Sequence, residues 1–194
     1  MIGKKRAKLF IVSAPSGSGK TTLCNRLLND GLGLEDSVSV TTRPPRPGEK
    51  DGRDYIFVDD PSFRREIAKG SFLEYEDNFG YFYGTPRAFI ERSLRKGRNV
   101  LLSVDVKGAM KVRRAYPKES VLIFILPPSV RELKKRLHLR KSDTAKVIAE
   151  RLAVAKKEIS YKKFYDYKIV NDRITSAYRK LKRVVLKEMG EDRP

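Results

Sequence analysis

Residues Ala14-Pro15-Ser16-Gly17-Ser18-Gly19-Lys20-Thr21 carry glycine, lysine and hydroxyl groups at the spacing of a phosphate-binding loop, G-x-x-x-x-G-K-[ST], with alanine at its first position. Gly17 and Gly19 let successive backbone N–H groups turn inward around phosphate oxygens. A helix starting at the end of the loop points its positive end at the same oxygens. Lys20 has the reach for a β and a γ phosphate, and the Thr21 hydroxyl, followed by Thr22, suits Mg²⁺. Alanine at position 14 is compatible with this as long as its φ is negative, because only glycine visits positive φ freely. Strand, loop, lysine, threonine and helix in that order argue for a nucleoside-triphosphate site over an ordinary glycine-rich turn. The loop does not name what receives the phosphate.

A second set of chemically able residues follows. Arg43 and Arg46 each stand beside proline, which fixes φ and stiffens the segment. Two guanidinium forks on a stiff support suit a phosphate dianion. The tyrosines of Gly80-Tyr81-Phe82-Tyr83-Gly84-Thr85 add neutral donors. Glu74 lies in Phe72-Leu73-Glu74-Tyr75, a lone carboxylate in an apolar stretch. A carboxylate accepts two hydrogen bonds, and guanine offers two adjacent donors, N1–H and the 2-amino group. Adenine lacks the N1 proton and would leave the acid unpaired. A surface glutamate on an edge strand is the competing reading of Glu74.

Strands alternating with helices must position these groups. Lys8–Ser13, Asn99–Val106, Val121–Leu126 and Tyr167–Asn171 are apolar runs of the kind buried on both faces of a parallel sheet. Asp60-Pro61 opens a helix that Gly70 closes, and Thr85-Pro86 opens another that Gly97 closes, with Thr85 at the N-cap position. Ser129 and Glu132 form a capping box. Ala145, Ile148, Leu152, Ala155 and Ile159 follow helical spacing, as do Ile174, Ala177, Leu181, Val184 and Val185. The expected class is α/β, a parallel sheet core of the P-loop NTPase type flanked by helices. The core is expected from residues 1–36, 86–128 and 159–194, with insertions over 37–85 and 129–158.

Composition bounds the alternatives. The 194 residues suffice for one such domain, and no apolar run approaches the roughly 20 residues of a membrane span. The single cysteine, Cys24, excludes a disulfide framework, is expected to be packed, and fits a reducing cytoplasm. The net charge of +19 raises the question of nucleic acid. The basic residues are spread along the chain without a stripe of stacking aromatics, so no specific nucleic-acid partner is expected, and no membrane. His138 reads as a helix-surface residue.

From about residue 8 to 187 the chain resembles the guanylate kinase family. The resemblance rests on Ser13–Thr21, on Thr41-Thr42-Arg43-Pro44-Pro45-Arg46-Pro47-Gly48-Glu49, on Gly80–Thr85, on Leu126-Pro127-Pro128-Ser129 and on Tyr167–Asp172. Ala-Pro-Ser-Gly is the normal loop opening there, so Ala14 fits. The resemblance implies Mg²⁺-dependent transfer of the γ-phosphoryl group of ATP to GMP or dGMP by a monomer or homodimer, with 37–85 as a GMP-binding insertion and 129–158 as a helical lid. It implies that residues 14–22 bind ATP. Arg43, Arg46, Tyr55 and Tyr83 would hold the GMP phosphate, and Ser39, Glu74 and Thr85 would read guanine. Asp105 would be an acid near the nucleotides. Arg140 and Arg151 would be lid arginines acting on the transferring group, so that Lys20, Arg43, Arg140 and Arg151 are the catalytic set. Arg136 and Asn171 would lie near adenine.

Three positions depart from the family pattern: Ser103 replaces an aspartate, Lys107 a glutamine, and Leu139-Arg140-Lys141 a Gly-Arg-Gly lid. The last should stiffen the lid. The rival functions are a noncatalytic guanylate-kinase-like module that binds peptides, a P-loop ATPase acting on nucleic acid, and a nucleoside monophosphate kinase of different base preference.

Overall fold

A computed structural model of the chain describes residues 6–138 and 145–191. Its centre is a five-stranded parallel sheet built from β1 (Leu9–Ser13), β2 (Glu35–Asp36), β7 (Val100–Ser103), β8 (Ser120–Leu126) and β9 (Tyr167–Val170), in the order β2-β7-β1-β8-β9. β1 is buried along its whole length. Phe10 and Val12 face α1 (Lys20–Leu28) and α7 (Ile174–Met189) in one core, which includes Leu23, Cys24, Ala177 and Leu181. Leu9 and Ile11 face α3 (Arg87–Arg95) and α4 (Val106–Ala115) in the other, with Ile90, Ala109 and Val112. Side chains alternate across a strand, so a continuous apolar run fills both layers. Cys24 is packed in the first of them.

Two expectations about strands need correction. β9 is not buried on both faces: it pairs only with β8, and of its four residues only Ile169 is buried. The run Asn99–Val106 is strand only as far as Ser103. Asp105 leaves the strand and caps α4, its Oδ1 accepting from the Gly108 N–H at 2.7 Å. The expected start of α3 also shifts. Pro86 is the N-cap and Thr85 belongs to β6, so Thr85 does not cap the helix.

Between β2 and β7 the chain builds a second sheet from β3 (Val40–Thr41), β4 (Ile56–Phe57), β5 (Phe72–Asn78) and β6 (Tyr81–Pro86), in the order β4-β3-β6-β5. The helix α2 (Asp60–Ala68) packs on it through Phe63, whose ring stacks with Phe72 and Phe82 at 4.5 and 5.3 Å. A register shift between Phe72 and Glu74 sets Glu74 opposite Thr85. After β8, α5 (Val130–His138) and α6 (Ala145–Ser160) form a small core of their own from Leu133, Leu137, Ile148 and Ala155. Ser129 accepts from the Glu132 N–H at 3.1 Å at the start of α5, and His138 is exposed. Leu139, Arg140 and Lys141, including the lid arginine expected at 140, lie outside the described residues.

Candidate active site

The carboxyl ends of the parallel strands converge on one open cleft, the usual ligand position in such sheets. It holds about 320 Å³. The loop 14–22 forms one wall. Gly17 and Gly19 have φ of 88° and 86°, and Ala14 is not among the positive-φ residues, as its place in the loop requires. Gly19 has a second reason to be glycine, since a Cβ there would meet the Asn171 amide nitrogen at 2.4 Å. That amide donates to the Ser18 carbonyl at 2.8 Å and fastens the loop to the end of β9. Lys20 donates to the Val104 carbonyl at 3.1 Å, and burial pulls its pKa below the ordinary lysine value. An ammonium held with few partners in a dry pocket gains most from an arriving phosphate.

The opposite wall comes from the second sheet. Along β5, alternate residues Glu74, Glu76 and Asn78 line the cleft, joined by Ser39, Arg46, Tyr55 and Tyr83. Glu74 is 6% exposed, which removes the surface-glutamate reading although β5 is an edge strand. Thr85, itself buried, donates its hydroxyl to Glu74 Oε1. Burial pushes the Glu74 carboxyl up to about 7, with Asp105 and Glu76 adding repulsion. Gly108 makes room for it: a Cβ there would stand 2.5 Å from Glu74 Oε2. A buried acid with only one hydroxyl donor of its own is matched to a ligand that brings two more.

Arg43 is placed differently from Arg46. Arg46 is exposed and lines the cleft. Arg43 is buried and does not line it: its Nη2 donates to both oxygens of Glu49 at 2.9 Å, its Nη1 to the Pro44 carbonyl at 2.6 Å, and its Nε to the Tyr83 hydroxyl at 3.2 Å. Glu49 also accepts from the Arg46 N–H at 2.7 Å. Glu49 therefore organises both arginines, a role the sequence reading did not assign.

The third wall is α6, where Arg151, Val154 and Glu158 share the face toward the cleft. Burial raises the Glu158 carboxyl to about 7, with Asp105 opposing ionisation and Lys20 favouring it. Arg136 and Asn171, expected near adenine, are not among the lining residues. Arg136 donates to the Asn171 carbonyl at 3.1 Å and pairs with Glu132 at 3.5 Å. Asp105 lines the cleft with Oδ2 accepting from Asn78 at 2.8 Å. The departure at Lys107 finds a partner: Glu76, on β5, pairs with Lys107 at 4.0 Å and with Lys111 at 2.7 Å. Ser103 lines the cleft where the family pattern has an aspartate.

The sequence reading missed Glu49, Glu76, Asn78, Phe79 and Glu158. Glu49 was within the quoted arginine motif and could have been weighed as a partner for the forks. Glu76 and Asn78 are brought to the cleft by strand alternation, Phe79 by the hairpin turn that follows, and Glu158 by a helix face, which only the packing reveals.

A metal must fit this donor set. Among the described residues no group of three or more His, Cys, Asp or Glu side chains could hold one. The side-chain oxygens at the loop are the neutral hydroxyls of Ser16, Ser18, Thr21 and Thr22. That sparse set fits Mg²⁺, which keeps several waters and takes its other ligands from substrate phosphates. Among the described residues no helix is long and apolar enough to cross a membrane.

A family profile for guanylate kinase matches residues 6–188. The guanylate kinase of Rhodopseudomonas palustris strain HaA2 is 45% identical over 185 residues, covering 95% of this chain and 84% of the relative. That of Wolbachia pipientis wMel is 46% identical over 188 residues, covering 97% and 94%. The crystal structure of guanylate kinase from Anaplasma phagocytophilum superposes with a TM-score of 0.81 at 38% identity, covering 95% of this chain and 87% of that one. With a phosphate loop facing a buried acid across one cleft, and this agreement over nearly its whole length, the chain belongs to the guanylate kinase family.

Proposed function

We propose that the cleft carries out the guanylate kinase reaction, ATP + GMP → ADP + GDP, with the two nucleotides entering from opposite walls. The observation that carries this reading is the placement of Glu74, 6% exposed, in the same cleft as the phosphate loop. Ionised Glu74 accepts from guanine N1–H and the 2-amino group, with Thr85 and Ser39 beside it.

Arg46, Tyr55 and Tyr83 take the acceptor phosphate. Arg43 joins them by exchanging Glu49 oxygens for phosphate oxygens, keeping its bond to Tyr83. Backbone N–H groups of residues 14–20 and Lys20 hold the donor phosphates. Thr21 would hold Mg²⁺, which when bound neutralises charge on the β and γ oxygens. The attacking oxygen belongs to a phosphate already ionised at neutral pH, so no side chain has to remove a proton. What remains is alignment, exclusion of water and charge stabilisation, to which Arg151 contributes from α6.

Residues 37–85 serve as the acceptor-binding unit and residues 129–158, with α5 and most of α6, as a lid. The core comprises the described residues of 1–36, 86–128 and 159–194. Release of ADP, measured with ATP and GMP, dGMP, AMP or UMP, tests the reading. Turnover confined to guanine acceptors is expected. Equal use of AMP would remove Glu74 from base recognition, and ATP hydrolysis indifferent to any monophosphate would overturn the reaction.

A further inference from the structure

The hairpin between β5 and β6 turns through Phe79 and Gly80, with φ of 58° and 80°. Phe79 is the only non-glycine residue with positive φ among the described residues. Two successive left-handed residues make the tight hairpin turn in which Asn and Gly are the low-cost choices, and a bulky aromatic is not. Core packing does not compensate, because Phe79 is 56% exposed. Neither the turn nor the core accounts for this side chain. Backbone cost of this kind points to a function of the group that bears it.

The ring lines the cleft, and the Arg151 guanidinium carbon lies 5.8 Å from its centroid. That distance is within the range of a cation–π contact. Its neighbour Asn78 is tied to Asp105, which is itself fixed as the cap of α4. The ring therefore stands on a tip anchored to the main core, while its partner stands on α6, which packs into the separate α5–α6 core. A ring face holds a guanidinium by its plane and so fixes the orientation of that plane.

We propose that Phe79 is a positioning residue for phosphoryl transfer: its ring holds the Arg151 guanidinium at the acceptor side of the cleft with the N–H fork directed at the transferring group. This rests on the reading of Arg151 given above. Phe79 touches no phosphate and acts only through Arg151.

The test compares kcat and KM for Phe79→Ala, Phe79→Asn, Phe79→Tyr, Arg151→Ala and the Phe79→Ala/Arg151→Ala double variant. Phe79→Ala is expected to lower kcat about tenfold, the worth of one partly desolvated cation–π contact. KM for GMP and for ATP should stay within about twofold, because the lost contact acts in the transition state. Phe79→Tyr should restore kcat. Phe79→Asn, at ease with positive φ, should raise the melting temperature while losing as much kcat as alanine. A residue needed only for folding would lose both together. The double variant should be no slower than Arg151→Ala alone. If Arg151→Ala lowers kcat while Phe79→Ala does not, or if the two losses multiply in the double variant, the proposal is overturned. If Arg151→Ala leaves kcat unchanged, the prior reading of Arg151 falls instead.

Discussion

The two walls of the cleft are made in different ways. The donor wall is backbone: consecutive N–H groups of one loop at the start of one helix, held in shape by Asn171 and two left-handed glycines. The acceptor wall is side chains drawn from β5, β6 and the segment around residues 39–55, several of them occupied by one another. Arg43 is bonded to Glu49, Glu74 to Thr85, and Asn78 to Asp105. A backbone cradle is ready for any triphosphate. A side-chain constellation is selective because each internal partner must be exchanged for, or joined by, a group of the ligand.

Removing the ammonium from the donor wall should have the largest effect. Lys20→Ala is expected to lower kcat on the order of 10³-fold, while GMP binding measured by calorimetry is retained. Parallel loss of both would mean that the walls are not separate. Next comes the acid. Glu74→Ala should lower kcat/KM for GMP roughly 10²-fold, through loss of two charge-assisted hydrogen bonds, and leave KM for ATP nearly unchanged.

Burial pushes the Glu74 carboxyl up to about 7, and only the ionised form can accept both guanine donors. As pH falls from 8 to 6, kcat/KM for GMP should drop about tenfold, and Glu74→Gln should remove that bend. The same shift has the opposite sign for stability. Burial lifts the folded pKa above the ordinary value of 4.5, so the native state binds the proton more tightly than the unfolded chain. Stability from this group is present below about 4.5 and is lost as pH rises through about 7. Denaturation midpoints of the nucleotide-free protein should therefore fall less between pH 5 and 8 for Glu74→Gln than for the natural chain.

The smallest effect concerns exchange at Arg43. Glu49→Gln keeps an acceptor for the Arg46 N–H but weakens the bidentate pair, and should lower KM for GMP by about threefold. A rise would mean that the Glu49 charge is needed to place the arginines.

The difference between the walls also decides what could be read from the sequence. The donor loop was legible because its chemistry sits in consecutive residues and is enforced locally. Three of the four core strands named from apolar runs are buried as expected, and the fourth, β9, alternates because it lies at an edge. β2 was missed because it is two acidic residues with no apolar signal. α4 was not named either, although Asp105 and the spacing of Val106, Ala109 and Val112 carry its signature. On the acceptor wall, residue types were visible but their employment was not. The register shift beside Leu73 that turns Glu74 inward is a pairing property of two strands. Likewise, the bond from Thr85 to Glu74, which displaces its expected capping role, depends on β5 and β6 lying side by side.

The amide of Asn171 reaches the Ser18 carbonyl across a sequence separation of 153 residues. During synthesis, then, the nucleotide loop is made well before its fastening, which waits for Asn171, 153 residues further along the chain. A chain that stops short of β9 leaves the Ser18 carbonyl without that amide, and the shape of the loop then depends on local forces alone.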